Sequence, residues 1–488
     1  MSSAQANKLR ICWGIKRGRK LVCKEPVTDE KVIEEVKRLI EELKRRIERH
    51  KDRLENATFI DELIVLLKQW LKERKNDKGK KAKDAGKIVR KMIKLLKRLR
   101  KKWIETYWKQ FFELMDLLEE GAADIIVIGG NGNGKSLVAR LRNGDVAVAV
   151  ERVATSNGVI INLALKDLKG EDVKVSNTFS DREAMEDCQH GFHLTDGSTD
   201  YGYPAMVTTQ PWQVVLWSLC YPGKVRMRIG SISINEGDVS IIWRLIAKDH
   251  RARSKAKIAE EVEKLDLKRL KAFLASAVFG DGDVNVSKKY IRLIMGLSKF
   301  ELWLDILMRL INELGFIIKL REYKVEAEIW SSKAIGLAKD WLGMPEIREL
   351  IKLGASLPDS KKLRGIIELA SKEVKKLGGS SINIPGTNIS MTVRIKRNYK
   401  VELRAWRRDE GKVLRLIKEL KRTGYELTIY VDGNGRAISI THNKVKSDKR
   451  LKEPVCELLY RWLNEVRDEK RKVKIVATIQ SLECFDNT

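Results

Sequence analysis

The stretch LASAVFGDG, Leu274 to Gly282, joins an apolar helical run to a turn in which one carboxylate, Asp281, stands between two glycines. Upstream, Asp266 is placed to cap the helix LKRLKAFLASAVFG, since an Asp side chain can accept from the free amides of a first turn. Ala275, Ser276 and Ala277 are small, so a second helix could approach closely. After the turn come a short hairpin (DVNVSKKYIRLIMG), an amphipathic helix (KFELWLDILMRLINELG), a second hairpin (FIIKLREYKVEAEIWSS) and a helix (KAIGLAKDWL). The predicted order is α-β-β-α-β-β-α. Asp281 itself reads in two ways, as a metal ligand or as part of a helix that ends on glycine.

Over residues 265–342 the chain resembles the LAGLIDADG homing endonuclease family. Leu274 to Gly282 fall in order under its nine-letter motif, with the family's metal-binding acid on Asp281. IRLIMGLSKFEL and AEIWSSKAIGLAKDWL are similar to the strand–helix and last strand–helix stretches of archaeal members. The resemblance implies two motif helices side by side, Mg²⁺ held by the acids at their ends, and hairpins forming a saddle over the DNA major groove. It also makes Asp281 catalytic and metal-binding, with Lys333 as an electrostatic helper near the scissile phosphate. Through TTQPWQVVLW, SIIWRLIAKDHRARSK and EIWSSKA, the whole chain resembles large paralogous proteins of hyperthermophilic archaea that carry such segments.

A second motif helix is expected in this chain or in a twin, giving a monomer with a pseudo-two-fold axis or a homodimer. SKKLRGIIELASKEVKKLGG opens another α-β-β-α-β-β-α run over 361–465, which reads either as a degenerate second half or as an ordinary two-layer α/β domain. Its first helix ends without an acid in a turn, and Glu373 is only a remote candidate. Arg394, Lys396, Lys400 and Arg404 lie on its first hairpin, where bases alternate with apolar residues. In the first half, Lys288, Lys289, Arg292, Lys319, Arg321 and Lys324 are the candidate nucleic-acid contacts. Glu326 and Glu328 share their face and weaken its basic character. Three features count against cleavage: the missing second acid, the short first hairpin, and Gly296 where many members carry a polar residue.

The charge balance points the same way. Among 488 residues, 97 are Lys or Arg and 67 Asp or Glu, a formal net charge of +30. Such an excess suits a polyanion, DNA most simply and RNA otherwise. The alternative is the solvated surface of a heat-adapted protein. Six scattered cysteines with no CxxC indicate neither a zinc ribbon nor a disulfide framework. The sequence shows no signal-peptide core and no membrane-length apolar run, so a cytoplasmic protein away from membranes is expected.

Residues 1–120 read as a basic helical region, with three helices in an antiparallel hairpin or coiled coil. Residues 121–258 read as a β-rich domain, 259–345 as the LAGLIDADG-like half and 346–488 as the possible second half. GGNGNGKS, Gly129 to Ser136, matches the P-loop pattern. The period-2 run SLVARLRNGDVAVAV after it leaves no room for a phosphate-binding helix. CQHGFH places Cys188, His190 and His193 together, with Asp196 and Asp200 beyond, but zinc needs two ligand pairs, so these read as turn residues. Trp212, Leu216, Trp217 and Cys220 read as core.

The expectation is a cytoplasmic α+β nucleic-acid-binding protein, either a degenerate LAGLIDADG-like binder or an Mg²⁺-dependent endonuclease. A P-loop nucleotide switch and a scaffold assembled through the front helices are the alternatives.

Overall fold

Asp266 caps the helix Leu267–Asp281, its carboxylate accepting from the Arg269 amide at 2.8 Å. Asp181 caps Arg182–Leu194 in the same way, through the Ala184 amide at 3.1 Å. These two helices pack against each other. A β-carbon on Gly191 would lie 2.4 Å from the Phe273 carbonyl oxygen, so only glycine permits this approach. Arg269 locks the pair by reaching back to Asp187, with its shortest contact at 2.9 Å. Leu270, Phe273, Leu274, Val278 and Phe279 are fully buried on the motif helix. Each such side chain contributes about 2 kcal/mol by leaving water.

The computed structural model describes residues 10–17, 20–129, 138–152, 158–373, 380–387, 389–407, 409–432, 435–466 and 468–484. The chain forms two compact units, Met1–Glu373 and Val374–Thr488. It is a mixed α+β protein.

In the first unit the two capped helices open runs of the same element order. The earlier run continues through strands Gly197–Asp200 and Tyr203–Thr208, helix Pro211–Cys220, strands Gly223–Ile234 and Val239–Ala247, and helix Lys255–Glu263. The later run continues through Gly282–Asn285, Tyr290–Gly296, Phe300–Arg309, Ile317–Leu320, Lys324–Trp330 and Ser331–Gly343. In both, the four strands are antiparallel and ordered first, second, fourth, third. The element order expected from Leu267 onward is therefore present, and it is present twice.

This corrects the expected partner. The companion of the motif helix is Arg182–Leu194, not Lys361–Ser371. The latter packs on Ser331–Gly343, Pro345–Ala355 and the strand Gly282–Asn285. Its own glycine, Gly365, faces Val284 and Val286 rather than a second helix.

The N-terminal segments extend the first run's sheet. Strands Lys20–Pro26, Arg10–Arg17, Asp124–Ile128, Val138–Asn143, Val146–Arg152 and Val159–Leu165 add in that order to Gly223–Ile234, which Glu171–Val175 also joins. The helical front does not stand apart as a coiled coil. The basic helix Lys80–Lys102 lies on Pro211–Cys220, Glu171–Val175 and Gly223–Ile234. Its Lys91, Lys94 and Arg98 converge on the Glu171 carboxylate at 3.0, 3.0 and 2.6 Å, so these cations are engaged within the fold.

Val138–Asn143 is a strand antiparallel to Asp124–Ile128, where a P-loop requires a helix. The turn expected over Gly129–Ser136 lies, apart from Gly129, outside the described residues. The cysteine reading is also corrected: Cys12 pairs with Cys23 and Cys456 with Cys484, while Cys188 and Cys220 are free and buried. Spacing along the sequence did not reveal partners brought together by a hairpin and by two packed helices. No helix among the described residues is long and apolar enough to cross a membrane.

The second unit has a five-stranded antiparallel sheet ordered Ser381–Asn383, Ser390–Ile395, Val401–Arg407, Gly435–Ile440, Thr428–Asp432. Glu410–Arg422, Lys449–Glu465 and Glu469–Leu482 supply helices, and Met391, Leu403, Ile440, Leu420 and Leu459 are among its core residues.

Candidate functional site

Arg182–Leu194 and Leu267–Asp281 end at equivalent acids, Asp196 and Asp281. The offset from cap 181 to cap 266 equals the offset from acid 196 to acid 281, which is 85 residues. Each acid is followed by a glycine with no room for a side chain. A β-carbon at Gly197 would lie 2.4 Å from the His193 α-carbon, and one at Gly282 would lie 2.5 Å from the Val278 carbonyl oxygen. The chain can therefore turn sharply off each helix, bringing both carboxylates to the same end of the pair. Burial, the charge of Asp281 and a hydrogen bond with it push Asp196 up to about 7.

Three further side chains complete the cluster. Gln213 Nε2 donates to Asp196 Oδ2 at 3.1 Å and to the Phe279 carbonyl at 2.8 Å. Lys362 Nζ donates to the Phe279 and Gly280 carbonyls at 3.0 and 2.7 Å. Lys255 Nζ donates to the Leu194 and Thr195 carbonyls, both at 3.3 Å. Burial lowers Lys362 to about 8, against the opposing charges of Asp196, Asp281 and Asp283. A cavity of about 750 Å³ opens beside Asp196, Trp212, Gln213 and Lys362. One of about 760 Å³ opens beside Asp281, Lys299, Arg321 and Lys324.

Asp281, singled out from the sequence, is thus at the centre. Lys333 is not among the amines that contact the helix ends: it is exposed, and its Nζ would lie 2.2 Å from a β-carbon on Gly315. Asp196 was grouped with Cys188, His190 and His193 as a turn residue. The structure puts those three on the companion helix, and no group of three or more metal-ligating side chains occurs among the described residues. Gln189, His190 and His193 broke the apolar pattern of QHGFHLTDG. The signal that could have found it was an Asp cap followed, at the same spacing, by an Asp-Gly turn and the same element order.

The candidate nucleic-acid contacts divide. On the later run's sheet, Lys319, Arg321, Lys324 and Arg292 lie on one face with Glu326 and Glu328, which are only 4% and 3% exposed. Lys319 meets Glu328 at 2.5 Å, Arg321 and Lys324 meet Glu326 at 3.4 and 2.8 Å, and Arg292 meets Asp283 at 2.9 Å. That face is largely charge-balanced. Lys288 and Lys289 are exposed in the turn before Tyr290.

On the earlier run's sheet, Arg228 and Arg244 stand directly opposite each other on adjacent strands. They share the Asp200 carboxylate at 3.7 and 3.1 Å. Like charges directly opposed destabilise a sheet, and burial together with Arg244 lowers the pKa of Arg228. Both line a cavity of about 410 Å³ that Lys169 also lines. The sequence reading did not select them. In the second unit, Arg394, Lys396 and Arg404 share a sheet face with Glu402 and Tyr430. Lys396 pairs with Glu402 at 3.1 Å, Arg404 lies 5.2 Å from the Tyr430 ring centroid, and Lys400 is exposed beside the turn.

No family model matches the chain, and no curated protein matches it. Among solved structures, the crystal structure of full-length DUF199/WhiA from Thermatoga maritima is similar, with 11% sequence identity and a TM-score of 0.24. The similarity covers 64% of this chain and 95% of that one.

Proposed function

We propose that this is a nucleic-acid-binding protein with a LAGLIDADG-like core, whose two halves are residues 182–263 and 267–343, and that it binds duplex DNA without cutting it. The core reading is supported by two runs of the same element order, identical strand orders, and a helix pair with equivalent acids at its ends. The binding reading is carried by the opposed Arg228 and Arg244. Arg228, Arg244 and Lys169 against Asp200 and Asp167 leave one positive charge unmatched at a cavity open to a backbone phosphate. RNA is the second candidate ligand, through the same phosphate chemistry.

The resemblance implies Mg²⁺ at the acids, but the donor set does not favour it. Gln213 occupies one Asp196 oxygen, and ammonium groups stand on both helix ends. Mg²⁺-dependent cleavage is therefore not part of this reading.

Filter binding of duplex DNA at 50 and 200 mM salt tests it, beside a supercoiled-plasmid nicking assay. Affinity should fall by about three decades across that range if six or more phosphates are contacted. The Arg228→Ala/Arg244→Ala variant should weaken binding to all sequences alike and flatten the salt dependence. Salt-insensitive binding, or none at 50 mM, would sink the proposal, and nicking by the parent would remove its non-cleaving part.

A further inference from the structure

Leu194–Thr195 and Phe279–Gly280 are the last carbonyl pairs before the two acids, and each pair holds its own lysine amine. A helix C-terminus is the negative pole of its dipole, so an ammonium there is favourable. The two lysines come from inequivalent places. Lys255 opens the last helix of the first run, whereas Lys362 comes from Lys361–Ser371, beyond the end of the second run. In the second run, the lysine near the start of the last helix, Lys333, lies against Gly315 instead. Lys362 therefore fills, from outside the repeat, the place that Lys255 fills from within it.

An ammonium group thus stands at the end of each acid-bearing helix. A divalent cation entering between the acids would meet two fixed positive charges, while losing several kcal/mol of its own hydration. Lys362 is also held sideways, with its amine 5.8 Å from the Trp212 ring centroid. We propose that Lys362, its ammonium held on the Phe279 and Gly280 carbonyls beside the acids, keeps the Asp196–Asp281 pair closed to Mg²⁺. The proposal rests on reading Asp196 and Asp281 as the paired acids of a LAGLIDADG-like core.

The test is a Mn²⁺ titration of the full chain, with free Mn²⁺ followed by electron paramagnetic resonance. The parent should show no saturable site that Asp281→Asn removes. Lys362→Met should gain one site, at least about tenfold tighter than anything in the parent, as expected when a buried positive charge is withdrawn from two carboxylates. Adding Asp281→Asn to Lys362→Met should abolish that site. A parent site that depends on Asp281 overturns the proposal, and this arm does not depend on how the Lys362 variant folds. A Lys362→Met protein with native near-ultraviolet circular dichroism and no new site overturns it as well. Metal binding is read apart from DNA affinity, so either result leaves the nucleic-acid reading to its own experiment.

Discussion

A β-carbon on Gly191 would stand 2.0 Å from Ser276 Oγ, and this contact fixes where the two acid-bearing helices cross. Neither backbone can withdraw without unpacking Phe192 from Phe279, both fully buried with ring centroids 6.2 Å apart. Two aspartates 85 residues apart in sequence, at 196 and 281, become neighbours because a glycine faces a serine.

Gly191→Ala should therefore destabilise the first unit by about 3 kcal/mol or more, since the clash is with helix backbone as well as with a hydroxyl. Thermal melts compare it with Gly365→Ala, whose nearest neighbour would be a Val284 side-chain atom at 3.3 Å. Equal losses in the two variants would mean that the helix crossing is not the tight point.

Asp196 sets one pH dependence. Its carboxyl is raised to about 7 from an ordinary 3.8, by burial first and by Asp281 second. Between those values the folded chain keeps a proton that the unfolded chain releases, so stability falls as pH rises through the window. Asp196→Asn should raise Tm over the parent clearly at pH 8 and little at pH 4. Identical shifts at both pH values would argue against a shared proton at the acid pair.

Glu171 sets the opposite dependence. Burial alone would raise its pKa, but hydrogen bonds from Lys91, Arg98 and Lys94 outweigh that and hold it at about 2. Its stabilisation is complete above pH 4.5 and is lost as pH falls towards 2. Glu171→Gln should cost about 2 kcal/mol at pH 7, and the difference should shrink on acidification. Urea unfolding at pH 7 and pH 3 gives the comparison.

Lys319→Ala and Arg321→Ala should each change DNA affinity by less than about threefold, because each cation is already paired with a nearly buried glutamate. Lys396→Ala should change it as little, since Lys396 is paired with the nearly buried Glu402, whereas Arg404→Ala, which removes the cation on the Tyr430 ring, should weaken binding of all sequences about equally. Fluorescence anisotropy with unrelated duplexes measures both. A sequence-dependent loss at Arg404 would make it a base-reading residue instead.

The apolar period and the Asp266 cap were enough to place the motif helix, its Gly-Asp-Gly end and the α-β-β-α-β-β-α order after it, because caps, turns and alternation are local. The strand after GGNGNGKS was legible for the same reason. The partner helix was not. Gln189, His190 and His193 are polar letters on a helix whose interior position is set by packing, where His193, 4% exposed, is lowered to about 4 by burial first and by Lys255. The ion pairs that neutralise Lys319, Arg321 and Lys324 could be suspected from alternation, since Glu326 and Glu328 fall on the same face. The opposition of Arg228 to Arg244 could not, because it depends on the register of two strands. Lys362 is the extreme case. Its amine reaches the Phe279 and Gly280 carbonyls beside the acids from a helix 80 residues beyond Gly282 (282 to 362), a position that no local pattern encodes. Local rules wrote the elements into the sequence, whereas the pairing of Asp196 with Asp281 and the lysine beside them follow from long-range packing, where shape and buried charge choose the neighbours.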